Sequence, residues 1–321
     1  MKVGIIGAGI AGLACAERLA GQGIAVALFD KGRRPGGRLS TLHLPDRSWD
    51  YGAQYFTVRD PRFARAVAPL QSAGRIAPWL AGPAGALVGV PGMASLVEAL
   101  GAPHRIAFAT RIDAIQREDD GWWAEGEGTG FGPFDALVVA LPAEQAAPLL
   151  AIHDLALARE AVATRSLPCW AVMAGFDRRL EGLPDYLRNR GAIAWAARNA
   201  SKPGRPPAEC WVIQATHPWS QRHLEAEPAV VAQRLLDELR ALGPAVPDPA
   251  FLKAHRWRFA LATGSHDAPL WNPAIGLGAC GDWRAGPRIE DAWLSGTALA
   301  DRMIATLASG RTPAPFAAQE A

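Results

Sequence analysis

Lysine is scarce in this 321-residue chain: only Lys2, Lys31, Lys202 and Lys253 occur, and the other basic residues are arginine. The 33 basic and 31 acidic side chains nearly cancel, leaving a formal net charge of +2. That excludes an electrostatic case for nucleic acid or an acidic membrane surface. Cysteine is as sparse. Cys15, Cys169, Cys210 and Cys280 stand far apart with no Cys-x-x-Cys pair, which argues against a zinc site or a disulfide framework and fits a reducing cytoplasm. No uncharged apolar run reaches the ~18 residues of a membrane helix. Met1–Ala20 has the basic start, apolar stretch and small residues of a signal peptide, but its glycines and Glu17-Arg18 argue against that reading. What the chain does have is a 50% hydrophobic composition and 12 tryptophans against 3 tyrosines. That is enough for a sizeable core in one large domain or two intimate ones, and a flat ligand is one use for the tryptophans.

The first thirty residues read as a βαβ unit. Lys2–Ile6 is a short apolar strand, Ile10–Ala20 has helical periodicity, and Ala25–Phe29 is a second buried strand. No comparable unit opens later. Strand-like runs follow at 38–44 and 53–58, helices at about 61–72 and 92–100, and strands at 105–118, 122–126 and 134–140. From about 150 to 260 the pattern changes to strands at 168–176, 189–196, 209–216 and 251–259, with an amphipathic helix over 229–242. A buried strand returns at 276–281, then a helix over about 289–307, and a Pro/Ala-rich tail begins at Gly310.

Gly7-Ala-Gly9-Ile10-Ala11-Gly12 follows a strand and opens a helix. Such glycines permit a tight turn, close approach of a pyrophosphate to backbone, and close strand–helix packing. The helix N-terminus then offers its free N–H groups and positive dipole end to the phosphates. Asp30 ends the next strand, placed to accept from an adenosine ribose. The unit therefore predicts an ADP-containing dinucleotide.

Arg34-Pro-Gly36-Gly37-Arg38-Leu-Ser40-Thr41 resembles the RxGGRxxS/T signature of flavoproteins in the amine oxidase and glutathione-reductase-like group. Gly281-Asp282-Trp283, before a helix opening near Arg288-Ile289-Glu290-Asp291-Ala292, is similar to that group's GD motif. Asp50-Tyr-Gly-Ala-Gln54-Tyr55, Trp195-Ala-Ala-Arg198-Asn199-Ala-Ser-Lys-Pro203 and His255-Arg-Trp257-Arg-Phe259-Ala260 narrow the resemblance to the bacterial renalase-like branch, over essentially the whole chain.

The resemblance implies an α/β protein. A Rossmann-like FAD-binding domain is built from both chain ends, at 1–60, 90–148 and 265–321, with a C-terminal strand and helix returning to it. An inserted α+β substrate domain, on a mixed or antiparallel sheet, occupies 61–89 and 149–264. It implies non-covalent FAD, because Cys280 precedes Gly281 where covalent relatives carry the cysteine after the comparable glycine. The cofactor residues it implies are Gly7, Gly9, Ile10, Ala11, Gly12, Asp30, Lys31, Gly37, Arg38, Gln54, Ile112, Gly281, Asp282, Arg288, Ile289 and Ala292. The chemistry it implies is oxidation of 2- or 6-dihydro-NAD(P), a small-molecule substrate, with hydride passing to the flavin and on to O2, giving NAD(P)+ and H2O2. No metal, nucleic acid or membrane partner is implied. Relatives carry glycine where Asp291 stands, and a carboxylate close to the flavin is tolerated if it points to solvent or pairs with Arg288.

Candidate substrate-pocket residues are Tyr55, Trp195, Arg198, Asn199, His255, Trp257 and Trp283. His255 and Trp257 alternate on a strand and share one face, and Arg198 and Asn199 are suited to a phosphate or carboxamide. Trp195 and Trp257 read equally as core packing, and His255 equally as a structural histidine. An amine oxidase or desaturase is the alternative, weakened by the few tyrosines and by Lys253 being the sole late lysine. A non-catalytic flavin-binding protein is a third reading. No His/Asp arrangement accompanies Ser295, so a hydrolase triad is not indicated.

Overall fold

The computed structural model describes residues 1–243, 246–264 and 269–308. The first segment forms β1 (Lys2–Ile6), α1 (Ile10–Ala20) and β2 (Ala25–Phe29). A hairpin of β3 (Thr41–His43) and β4 (Ser48–Asp50) precedes α2 (Pro61–Ser72), β5 (Ile76–Pro78), β6 (Leu87–Gly89) and α3 (Ala94–Gly101). Next come β7 (Ile106–Ala107), β8 (Ala114–Glu118), β9 (Gly121–Gly126), β10 (Thr129–Phe134), β11 (Ala136–Val139), α4 (Ala143–Ala151) and α5 (Leu155–Ala163). The long strand β12 (Arg165–Phe176) leads to β13 (Tyr186–Arg190), β14 (Ile193–Arg198), β15 (Glu209–Ala215), α6 (His217–Arg222), α7 (Pro228–Arg240) and β16 (Phe251–Thr263). The described chain closes with β17 (Leu270–Asn272), β18 (Leu277–Ala279) and α8 (Ile289–Ala308).

The chain divides into two units. One comprises Met1–Gly37, Val97–Arg165 and the described part of Ala262–Ala321; the other comprises Arg38–Leu96 and Ser166–Leu261. In the first unit a six-stranded sheet has the order β17-β18-β11-β1-β2-β7. Strands β18, β11, β1, β2 and β7 pair in parallel, and β17 closes one edge antiparallel. The apolar runs Val3–Ile6 of β1 and Ala136–Val139 of β11 suit strands buried on both faces. The chain leaves β1 for β2 on one side and returns beside it as β11 on the other, so the order reverses at β1. In open parallel sheets such a switch point opens a crevice at the carboxyl ends of the strands.

In the second unit an antiparallel sheet runs β13-β14-β15-β12-β16. Strand alternation gives it two different faces. Leu187, Ala196, Ile213, Val172 and Ala254 join Val231, Leu235, Leu236 and Leu239 of α7 in one core. Their sequence neighbours therefore point the other way: Tyr186 and Arg188, Trp195, Gln214, His255 and Trp257. This second face is largely aromatic.

The expected domain boundaries fall elsewhere. Residues 38–60 and 90–96 lie with the second unit and 149–165 with the first. The β3–β4 hairpin carries Asp50, which is bonded to side chains at 199–205, and this ties 38–60 to the antiparallel sheet. The expected strand at 53–58 is only a bridge from Phe56 to Leu87. Helices α4 and α5 appear where no element was expected, and the tail from Gly310 lies outside the described residues. No described helix is long and apolar enough to cross a membrane.

Candidate functional site: a nucleotide cradle and an aromatic face

In the first unit, the segment between β1 and α1 sits at the switch point. Gly7 has φ +107°, and a Cβ there would lie 2.5 Å from the Ala140 carbonyl oxygen. A Cβ on Gly12 would lie 2.0 Å from the Gly7 carbonyl oxygen, so both positions require glycine. At Gly9 the opposite holds: an added Cβ meets nothing within 4 Å. Gly9 is also the N-cap of α1 and makes no side-chain cap, so the helix start presents N–H groups that no capping side chain covers. That is a cradle for a diphosphate.

Asp30 braces it. One carboxylate oxygen accepts from the Ala8 amide at 2.8 Å, the other from Gly32 at 2.7 Å. Each oxygen accepts only one of these bonds and keeps acceptor capacity for a ribose hydroxyl. Ile112 is buried in the core beside β2. Lys31 and Gly37 are exposed.

The C-terminal motif closes the same unit. Gly281 donates its amide to Ser295 Oγ at 3.1 Å, and Asp282 is buried. Asp291 accepts from the backbone amide of Arg288 at 3.1 Å. It therefore caps α8 from within its first turn, a role that suits a carboxylate at a helix N-terminus. Arg288 is exposed, Ile289 half-buried and Ala292 buried. Trp283 differs from the expectation of a pocket wall. It is 0% exposed within the core, and its indole donates to the Leu141 carbonyl at 3.0 Å, leaving no surface for a ligand. Burial pushes the Cys280 thiol up to about 12, so it stays protonated and unreactive.

In the second unit the segment Asp50–Tyr55 lies on the aromatic sheet face. Gln214 Nε2 donates to Gly52 O at 2.6 Å, and Trp257 Nε1 to Tyr51 O at 2.8 Å. Tyr51 stacks on Trp257 at 5.4 Å and 16°, with His255 edge-on to both. Burial, and secondarily Lys253, push the His255 imidazole below its ordinary value, favouring the neutral ring.

A second group gathers Tyr55, Trp79, Tyr186 and Trp195. Trp195 stacks on Tyr186 at 5.1 Å and lies 5.6 Å from Tyr55 and 6.1 Å from Trp79. The β14–β15 register shifts between Ile193 and Trp195, and such a bulge re-aims a side chain.

Beneath these rings lies a buried charge cluster. Asp50, Lys202 and Arg205 are all fully buried at the side chain. Asp50 Oδ2 accepts from Lys202 Nζ at 3.1 Å and from Arg205 Nη2 at 2.7 Å; its Oδ1 accepts from Thr41 Oγ1 and the Met93 amide. Burial alone would raise the Asp50 carboxyl, but the two cations outweigh it and hold it well below the usual range. Burial pushes Lys202 down to about 8; Asp50 opposes that shift and Arg205 adds to it.

Three further expectations meet side chains already committed elsewhere. Arg198 is buried and bonded to Asp185, Glu209 and the Leu180 carbonyl, so its guanidinium is not available for a phosphate. Asn199 donates to Ser48 and accepts from the Asp50 amide. Gln54 donates to the Asp50 and Gly52 carbonyls and accepts from Lys202. Asn199 and Gln54 brace the loop around Asp50, and Arg198 ties Asp185 and Leu180 to Glu209. Arg38 donates to the carbonyls of Phe259 and Ala260 at 3.4 and 3.3 Å. Trp79, Tyr186, Arg188 and the Asp50–Lys202–Arg205 cluster were not anticipated. The available signal was Tyr186-Leu-Arg188, which alternates like a strand in the three residues before the expected start at 189.

Two family models match the chain. Residues 5–70 match the NAD(P)-binding Rossmann-like domain, and residues 79–304 match the flavin-containing amine oxidoreductases. Renalase of Mus musculus is 26% identical over 296 residues, 82% of this chain and 86% of that protein. The zeta-carotene-forming phytoene desaturase of Myxococcus xanthus is 45% identical over 51 residues, only 16% of this chain and 10% of that protein. In fold, cyclohexylamine oxidase from Brevibacterium oxydans superposes with a TM-score of 0.72 at 14% identity, covering 96% of this chain and 99% of that one.

Proposed function

The chain belongs to the flavin-containing amine oxidoreductase family, and on that premise we propose that it is a renalase-like oxidase of 2- or 6-dihydro isomers of NAD(P). FAD is its cofactor. The overall reaction balances as dihydro-NAD(P) isomer plus O2 plus H+ giving NAD(P)+ plus H2O2. The observation that carries this reading is the likeness to renalase over 82% of the chain, against 16% for the desaturase. When bound, FAD supplies the two-electron acceptor that takes hydride and delivers electrons to O2.

The chain's own residues have the simpler tasks. The glycine turn, the α1 N-terminus and Asp30 hold the dinucleotide. The stacked rings of Tyr186 and Trp195, with Tyr55 tilted beside them, and of Tyr51 and Trp257 offer flat apolar surfaces that orient a dihydropyridine ring. Such a ring is electron-rich and releases hydride without prior proton abstraction, so no strong base is required of the site.

An amine oxidase is the second reading, and two observations favour it: the four-ring cluster, and a fully buried lysine, Lys202, in place of Lys253. Against it, the Arg188 guanidinium already lies over the rings of Tyr55, Tyr186 and Trp195, where it repels a protonated amine.

Anaerobic mixing of the yellow holoprotein with dihydro-NAD isomers and with an amine panel decides between them. Bleaching of the flavin absorbance within seconds by the isomers alone is the expected result. Bleaching by amines alone overturns the proposal.

A further inference from the structure

Arg188 has no carboxylate partner among the described residues, and its guanidinium lies against the aromatic rings. It lies on β13 directly opposite Trp195 on β14. Its guanidinium carbon is 4.8 Å from the Trp195 ring centroid, 5.7 Å from Tyr186 and 5.9 Å from Tyr55. Nη2 donates to Tyr55 Oη at 2.7 Å. A guanidinium carries five N–H donors, so most of this one's capacity is open, and Arg188 is exposed beside the half-buried rings of Tyr55 and Tyr186 and the buried Trp195. Under it, the Trp195 indole nitrogen is buried with no hydrogen-bond partner, in a side chain 8% exposed. A buried donor left unmade is costly, and the cost is recovered when an acceptor arrives.

We infer that Arg188 and the Trp195 indole N–H form an anion- and carbonyl-binding rim on the four-ring cluster, and that the ligand this rim takes is a flat ring bearing a phosphate: a nicotinamide nucleotide rather than the phosphate-free nucleoside or an amine. This rests on the reading of the aromatic face as a dihydronicotinamide site. The planar fork of Arg188 matches a phosphate's paired oxygens. The indole N–H matches a carboxamide oxygen, and the rings match the pyridine. The positive charge over the rings also selects against cationic ligands.

Calorimetric titration of the holoprotein with nicotinamide mononucleotide and with nicotinamide riboside tests the rim without turnover. The two probes share the ring and carboxamide and differ in the phosphate. The wild type is expected to bind the mononucleotide at least tenfold more tightly at low salt, with the gap narrowing as salt rises. Arg188→Gln is expected to weaken the mononucleotide by about tenfold to a hundredfold, the range of a charge-assisted hydrogen bond, and not to weaken the riboside, a pyridinium cation that gains from loss of the guanidinium charge. Arg188→Lys should recover part of the loss. Trp195→Phe keeps the ring, removes the N–H, and should weaken both probes alike. Equal binding of the probes by the wild type, an equal loss of both in Arg188→Gln, or binding of neither overturns the inference. Failure of the oxidase reading looks different: the dihydro isomers then leave the flavin oxidised while the Arg188-dependent preference for the mononucleotide persists.

Discussion

Lys202 shares Asp50 with Arg205, and only one of these two buried cations can give up its proton, since a guanidinium stays charged at any ordinary pH. With Lys202 protonated, two positive charges face one carboxylate out of contact with water. Burial lowers the lysine to about 8 in the folded protein, whereas an unfolded lysine titrates near 10.4. Between those values the unfolded chain binds the extra proton, so this group's contribution to stability rises with pH across the window and is lost as pH falls back through 8. Over the full window the change is roughly 3 kcal/mol. Lys202→Met removes the titration and leaves Asp50 paired with Arg205 alone. Melting temperatures of both proteins should therefore be compared from pH 7 to 10.5. The wild type is expected to gain on the variant as pH rises, and a constant difference would contradict a buried, charge-crowded lysine. Asp50→Asn acts in the opposite sense. It leaves two buried cations uncompensated and is expected to cost about 3–5 kcal/mol, or the fold itself, read from the denaturation midpoint.

At the scale of elements, the turn between β1 and α1 was legible because its chemistry is local. Glycines at fixed spacing, an apolar strand before them and a carboxylate ending the next strand already specify the geometry. The aromatic face was legible only in part. Trp195, His255 and Trp257 fall on strands whose alternation can be read, but β13 begins at Tyr186 rather than 189, and that offset concealed Tyr186 and Arg188. Trp283 misled because its motif sits beside a cofactor motif, whereas a bond to the Leu141 carbonyl and apolar neighbours place it in the core. The roles of Arg198, Asn199 and Gln54 depend on partners that the sequence keeps far apart, such as Ser48 and Asn199. Helices α1 and α8 supply a prediction of their own. A Cβ on Gly296 of α8 would lie 2.0 Å from the Ala11 carbonyl oxygen. That obstacle is backbone, which cannot rotate away. Gly296→Ala is expected to destabilise by about 3 kcal/mol through overpacking. Because α1 carries the nucleotide cradle, flavin retained per mole of protein should fall together with the melting temperature.

At the scale of the molecule, each unit is discontinuous in sequence. The chain passes between them at 37/38, 96/97, 165/166 and 261/262. The first unit's sheet is completed only after the second unit's last strand has been laid down: β18 pairs with β11 in parallel, and α8 follows. The two units should therefore depend very differently on the chain beyond Leu261. A chain ending at Leu261 keeps β12 to β15 and most of β16, and with them the α7 core. It loses β17, β18 and α8, so β11 gains a bare edge. The buried residues Leu13, Cys15 and Ala16 of α1 lose the helix α8 that covers α1 in the full-length protein. Bare parallel edges and an uncovered helix are poor in water, and the Gly281–Ala292 motif goes with them. Such a truncated protein is expected to purify colourless, to take up no FAD on addition, and to lose helical circular dichroism beyond the share of α8 itself. Its tryptophan near-UV signal should survive in part, because Trp170, Trp195 and Trp211 remain in an intact sheet. A truncated chain that binds FAD as the full-length protein does would show that the returning strand and helix are dispensable to the cradle, and would overturn this account of how the two chain ends build it.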